Sequence, residues 1–115
     1  MRVAFHHIAY QPLAVCNALS MERLEATATR AGLRPGATAM DIGCAYGEVS
    51  MRLARAFDVR VTAVELDPVM AEGAEARIRA AGLTDRITVR RETSAAALAD
   101  HAPLDLIVAI GSTEP

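Results

Sequence analysis

Residues 38–48 read Thr38-Ala39-Met40-Asp41-Ile42-Gly43-Cys44-Ala45-Tyr46-Gly47-Glu48. The apolar beginning is typical of a buried strand, the small residues after it indicate a tight turn, and a helix is expected from near Gly47. Gly43 and Gly47 lack a Cβ, so they supply the backbone freedom that such a turn requires. A ligand can also lie directly against this backbone, at the positive end of the following helix. The segment therefore predicts a ligand-binding turn.

The spacing of the small residues distinguishes two classes of ligand. A dinucleotide-binding turn has the pattern Gly-x-Gly-x-x-Gly or Ala, in which the last small residue packs the helix against the strand. Counted from Gly43, that last position is Glu48, which is large and charged. A nicotinamide-dependent oxidoreductase is therefore disfavoured, although it stays an alternative.

Glu65 is the second chemical signal, because it ends the predicted strand 59–65. An acid at this place, beyond a glycine turn on the preceding strand, can accept both ribose hydroxyls of an adenosine. Such charge-assisted hydrogen bonds are stronger than neutral ones. Asp67 is the competing candidate, but Pro68 directly after it marks Asp67 as the N-cap of the next helix.

The order of the predicted elements indicates the fold class. Strands are expected at 37–42, 59–65, 86–90 and 104–110, and helices after Ser20, near Gly47, after Asp67 and around 94–100. Alternating strands and helices predict an α/β protein with a parallel sheet and right-handed crossovers. The run 104–110 is almost continuously apolar, as expected for a strand buried on both faces.

Together these features resemble the class I S-adenosylmethionine-dependent methyltransferases over nearly the whole of residues 1–113. The residues that carry the resemblance are Asp41-Ile42-Gly43-Cys44 with Gly47, Val61 to Glu65 with Leu66-Asp67-Pro68, and Ile110-Gly111-Ser112-Thr113. Segments 5–10 and 17–20 resemble the beginning of small, mostly uncharacterised members. The family motif is usually acid-x-Gly-x-Gly-x-Gly, so Ala45 departs from it at the middle glycine, where its methyl group would crowd the donor.

The resemblance implies a Rossmann-like sheet of strand order 3-2-1-4 with flanking helices, and S-adenosyl-L-methionine as the cofactor. Gly43 and its neighbours would hold the methionine part, Glu65 the ribose, and Ser112 would lie near the donor. Ser94 replaces an acid that the family often carries after the third strand, and Glu92 lies two residues earlier. The implied donor-binding residues are Asp41, Gly43, Cys44, Ala45, Gly47, Glu65, Leu66, Ser94, Gly111 and Ser112.

Composition bounds the remaining possibilities. The chain has 115 residues, of which 52% are hydrophobic, and a formal net charge of −2. This gives no general case for nucleic acid or membrane binding, so we expect a small-molecule methyl acceptor. Cys16 and Cys44 lack metal-ligand spacing, which favours a reducing, cytoplasmic compartment. A Cys44 thiol activated by the helix N-terminus is the alternative to a small packed residue.

Two further expectations concern the ends of the chain. Residues 1–19 show no regular pattern and are interpreted as a lid segment in which Tyr10 or a histidine faces the ligand. Residues 1–115 are expected to form one domain that is incomplete, because the family fold continues with three more strands after the fourth. The strand 104–110 would then be a poorly covered edge strand, favouring self-association or a complementing chain. A donor-binding module without turnover is therefore the alternative to an active enzyme.

Overall fold

The computed structural model of the chain describes residues 5–8, 11–14 and 21–109. The strands are β1 (Phe5–Ile8), β2 (Gln11–Ala14), β3 (Thr38–Ile42), β4 (Arg60–Val64), β5 (Ile87–Arg90) and β6 (Leu106–Val108). The helices are α1 (Met21–Arg30), α2 (Glu48–Phe57), α3 (Pro68–Ala80) and α4 (Ser94–Ala99). The predicted alternation of strands and helices from residue 21 onward is confirmed.

A four-stranded parallel sheet occupies the centre of the fold, in the order β5-β4-β3-β6. Counted from β3, this is the predicted order 3-2-1-4. Met40 of β3 lies opposite Thr62 of β4 on one side and Ile107 of β6 on the other. The loops after β3 and β4 consequently leave the same edge of the sheet, which brings the glycine turn and Glu65 together.

Helices cover both faces of this sheet because successive side chains of a strand point to opposite faces. Ala39 lies in a core that includes Leu53 of α2 and Ile78 of α3. Met40, the next residue, lies in a second core that includes Ala97 of α4. In α2, Leu53 is fully buried in the first of these cores, whereas Val49 and Phe57, one turn to either side, are partly exposed.

The fourth predicted strand is shorter than expected. The prediction was 104–110, whereas β6 covers Leu106–Val108. Asp105 explains the late start, because its carboxylate accepts a 2.9 Å hydrogen bond from the Thr38 backbone N–H. The Asp105 N–H in turn donates to the Thr38 carbonyl at 2.8 Å. Asp105 therefore anchors the beginning of β3 and pairs with Thr38 ahead of the β6 ladder.

The prediction that the apolar side chains of this segment are poorly covered is wrong for the described residues. The side chains of Leu104, Leu106, Ile107 and Val108 are each at most 4% exposed. They are buried in the two cores of the sheet, and β2 also contacts β6. Ile110 lies outside the described residues.

The beginning of the chain contains more regular structure than the sequence indicated. β1 and β2 form an antiparallel hairpin in which His6 lies opposite Leu13 and His7 opposite Pro12. The proposed lid residue Tyr10 lies outside the described residues, as does Ser20, after which the first helix was expected. In the described part of the chain, no helix is long and apolar enough to cross a membrane.

Candidate functional site

The turn after β3 folds back over the end of β4. The backbone N–H groups of Gly43 and Cys44 both donate to the Val64 carbonyl, at 2.8 and 2.9 Å. Gly43 and Gly47 have φ angles of 69° and 85°, in the left-handed region that favours glycine. Gly47 is the N-cap of α2, so the helix begins where the sequence predicted.

Ala45 also adopts a left-handed backbone, with φ of 51°. This conformation costs a residue with a Cβ roughly 1–2 kcal/mol, because the Cβ approaches the carbonyl oxygen. It directs the Ala45 N–H at the carboxylate of Glu65, to which it donates a 2.8 Å hydrogen bond. The sequence indicated a departure from the motif at Ala45, and the structure adds that its backbone is strained.

Glu65 is held by two backbone donors. Besides the Ala45 N–H, the Asp67 N–H donates to its Oε2 at 3.1 Å. An ionised carboxylate offers about four lone-pair sites, so two stay available for further donors. Asp67 is committed elsewhere, because its Oδ1 accepts from the N–H groups of Val69 and Met70 at 2.8 and 3.1 Å. The prediction that Asp67 is a helix cap is confirmed.

Asp41 lies beneath the turn and is only 2% exposed. The hydroxyl of Ser50, in α2, donates to its Oδ2 at 2.8 Å. Burial raises the pKa of Asp41 from 3.8 to about 7, since a charged carboxylate is poorly solvated there. The Ser50 hydrogen bonds lower this pKa, and the nearby charge of Glu65 raises it.

A cavity of about 260 Å³ lies against the turn. It is lined by Asp41, Gly43, Cys44, Ala45, Tyr46, Glu48, Val49 and Arg77. Four of these residues were predicted as donor-binding, whereas Tyr46, Glu48, Val49 and Arg77 were not. Tyr46, as the one aromatic residue in a turn of small residues, was a signal that could have been noticed. Arg77 gave none, because it lies on α3, some thirty residues further along the chain.

Comparison with known proteins assigns the chain to a family. Residues 11–115 match the family model for mycolic acid cyclopropane synthetase, which describes S-adenosylmethionine-dependent methyltransferases. The chain belongs to that family.

Individual relatives agree with the assignment. An arginine Nω-methyltransferase from Streptomyces achromogenes subsp. streptozoticus is 43% identical over 70 residues, covering 61% of this chain and 19% of the relative. A protein-L-isoaspartate O-methyltransferase from Methylorubrum extorquens is 35% identical over 107 residues, covering 90% and 46%. The crystal structure of a mutant of MtNAS in complex with S-adenosylmethionine superposes with a TM-score of 0.73 at 25% identity, covering 83% and 36%. The chain thus spans less than half the length of these proteins.

Within this methyltransferase family member, Cys44 is a packed residue. It is 6% exposed and lies in the core with residues of α2 and α3. Burial, followed by the negative charges of Asp41 and Glu65, raises the pKa of its thiol to about 12. The alternative of a thiol activated by the helix N-terminus is therefore wrong, because burial and two neighbouring carboxylates favour the protonated thiol.

The remaining predicted donor-binding residues lie beyond the ends of β4, β5 and β6. Leu66 follows Glu65 and is 60% exposed. Ser94 is half-buried at the first position of α4, whose N-cap is Thr93. Glu92, the other candidate near the adenine, forms an ion pair with Arg90. Gly111 and Ser112 lie outside the described residues.

Proposed function

We propose that the chain forms the donor-binding domain of an S-adenosyl-L-methionine-dependent methyltransferase whose acceptor is a small molecule. The observation that carries the proposal is the arrangement of the Gly43–Gly47 turn and Glu65. The turn leaves its backbone accessible at a cavity, and Glu65 is fixed beside it by a 2.8 Å hydrogen bond from Ala45. Family membership and the structural neighbour that binds S-adenosylmethionine support the same ligand.

We assign the ribose to Glu65. Its two backbone hydrogen bonds fix the carboxylate, and the unused lone pairs suit two hydroxyl donors on adjacent carbons. A ligand with a 2′-phosphate would be repelled by the same charge. The methionine part of the donor is proposed to lie over Gly43, Cys44, Ala45 and Gly47, with Asp41 supporting the turn from below.

The other proposed contacts follow the same edge of the sheet. Ser94, at the start of α4, is the residue that we propose contacts the adenine, because the Glu92 carboxylate is already paired with Arg90. Leu66, exposed directly after Glu65, offers apolar surface at this edge. Gly111 and Ser112 are proposed to lie near the donor on the strength of the motif alone.

In methyl transfer, the bond between the sulfonium and the methyl carbon breaks as the acceptor atom forms its bond to that carbon, and the electron pair returns to sulfur. The rate depends mainly on holding acceptor and sulfonium in line at attack distance. The residues assigned above account for the donor side of this geometry. The overall formal charge of −2 favours a small-molecule acceptor over nucleic acid.

Calorimetry with S-adenosylmethionine, S-adenosylhomocysteine and NAD tests the ligand assignment. We expect the first two to bind more tightly than NAD, since Glu48 stands where a dinucleotide fold needs a small residue. Tighter binding of NAD would overturn the proposal. Binding of the donor without methyl transfer to any candidate acceptor would favour the alternative, a donor-binding module without turnover.

The outer edge of β6 supports a separate proposal of self-association or of a complementing chain. In the described four-stranded sheet, β6 pairs with β3 on one side only. Its side chains are buried, so a partner strand would be recognised through backbone N–H and C=O groups, in competition with β2. Sedimentation at micromolar concentration tests self-association, since the mass of a monomer at every concentration would count against it. We also propose a cytoplasmic location, which the free, buried thiol of Cys44 supports.

A further inference from the structure

Gly73 is an unexpected residue in the middle of α3. Glycine is unfavourable inside a helix relative to alanine, because the unfolded chain gains backbone freedom. The neighbouring positions Ala71, Ala74 and Ala76 show that alanine is used freely in this helix. Glycine at position 73 is therefore explained only if the packing around the helix excludes a Cβ there.

The structure supplies that reason in Tyr46. A Cβ added at Gly73 would lie 2.7 Å from both Cδ1 and Cε1 of the Tyr46 ring. Cβ atoms in proteins essentially never approach another heavy atom so closely. The ring of Tyr46 thus rests on the helix backbone itself. A Cβ at Gly32, Gly36, Gly47 or Gly82 would meet no atom closer than 3.4 Å.

Arg77, one helical turn after Gly73, contacts the same ring. Its guanidinium carbon lies 5.2 Å from the centroid of the Tyr46 ring, within the range of a cation–π interaction. Its Nη1 also lies 3.7 Å from Oε2 of Glu48, the first residue of α2. Residues of α3 therefore contact the turn on both sides of Gly47.

We propose that Tyr46, seated on Gly73 and held by Arg77, positions the glycine turn for the donor; this role rests on the proposed function above. Tyr46 lies between two residues with left-handed backbones, Ala45 and Gly47, and this backbone directs the Ala45 N–H at Glu65. Fixing the ring fixes the turn between them. Tyr46 and Gly73 are thus positioning residues that act through the backbone of Ala45.

The substitution Gly73→Ala tests this role, with Arg79→Ala, an exposed change on the same helix, as the control. Because Tyr46 is 39% exposed, its ring can turn away from the new methyl group and the chain can still fold. We expect affinity for S-adenosylmethionine to fall about tenfold, less than the roughly hundredfold that a misplacement of about 1 Å can cost. Arg79→Ala should leave affinity unchanged.

A double-mutant cycle identifies the route of the effect. In a Tyr46→Ala background, which lacks the ring, Gly73→Ala should cause no further loss of affinity. An equal loss from Gly73→Ala with and without the Tyr46 ring would overturn the proposal. So would unchanged affinity in Gly73→Ala.

Amide exchange of the ligand-free chain separates this inference from the proposed function. Gly73→Ala should speed exchange of the Ala45 amide several-fold or more, because its hydrogen bond to Glu65 would open more often. Unchanged exchange would overturn the positioning role whether or not the chain binds the donor. If the unmodified chain binds no S-adenosylmethionine, the proposed function fails while the exchange measurement still decides the role of Tyr46.

Discussion

The backbone N–H of Ala45 donates a 2.8 Å hydrogen bond to Oε1 of Glu65, twenty residues further along the chain. This bond joins the turn after β3 to the end of β4 at the edge of the sheet where both strands end. The group proposed to bind ribose and the turn proposed to bind the methionine part are therefore held as one unit. A change at either residue should be felt at the other.

Glu65→Ala should weaken binding of S-adenosylmethionine tenfold or more, because a charge-assisted pair of hydrogen bonds is worth roughly 1.5–3 kcal/mol. The same substitution leaves the N–H groups of Ala45 and Asp67 without their acceptor, so the free energy of unfolding should also fall, by about 1 kcal/mol. Calorimetry and chemical denaturation measure the two effects separately.

Asp85→Asn is the matched control for Glu65, since Asp85 is an exposed acid just ahead of β5, at the opposite end of the strand from the ligand edge. We expect it to leave donor affinity unchanged. Equal affinity in Glu65→Ala and the unmodified chain would remove the ribose assignment, and Asp67 would have to be reconsidered despite its role as a helix cap.

Ala45→Gly should raise the free energy of unfolding by up to about 1 kcal/mol, because glycine adopts φ of 51° without the steric cost that alanine pays. Ala56→Gly is the control, since Ala56 is exposed in the ordinary helical backbone of α2. There glycine should lower the free energy of unfolding by about 0.5–1 kcal/mol. Denaturant titrations showing the same sign for both variants would contradict the strain at Ala45.

Cys44 should react slowly with thiol-alkylating reagents. With the pKa of the thiol raised to about 12, the thiolate fraction at pH 8 is smaller than that of an ordinary thiol by about three orders of magnitude. In a Cys16→Ser background, alkylation of the folded chain should therefore lag far behind alkylation in denaturant. Equal rates in the two conditions would show that the thiol is neither buried nor suppressed.

Local sequence signals predicted the parts of the site that depend on neighbouring residues. Asp67 followed by Pro68 predicts a helix cap whose contacts reach no further than three residues along the chain. Gly43 and Gly47 predict where the turn can bend. Glu65 was predicted to bind a ribose because it lies at the end of a strand, beyond the glycine turn. The strand order followed from the family resemblance, and the sheet confirms it.

Contacts between distant residues were not predictable in the same way. Asp105 bonds Thr38 across 67 positions of the sequence, and this contact makes β6 begin later than predicted. Tyr46 meets Gly73 only because the fold brings the turn before α2 against α3, and no periodicity of the sequence encodes that. Ser50 reads as an ordinary polar residue of a helix until the structure places its hydroxyl 2.8 Å from the carboxylate of Asp41.

That buried carboxylate gives the last prediction. The folded chain keeps the proton of Asp41 up to about pH 7, whereas the unfolded chain loses it near pH 4. Between these values the folded state binds more protons than the unfolded state, so the contribution of Asp41 to stability falls as the pH rises through this window. Above about pH 7 the folded state must hold a buried charge.

Asp41→Asn isolates this contribution from those of the exposed carboxylates. Asparagine keeps an oxygen that can accept from the Ser50 hydroxyl but cannot ionise. We expect the variant to match the unmodified chain in stability below about pH 4 and to exceed it increasingly up to about pH 7, by on the order of a few kcal/mol at pH 8. Denaturant titrations at several pH values measure the difference, and a constant difference from pH 5 to pH 8 would mean that Asp41 does not change its charge in that range.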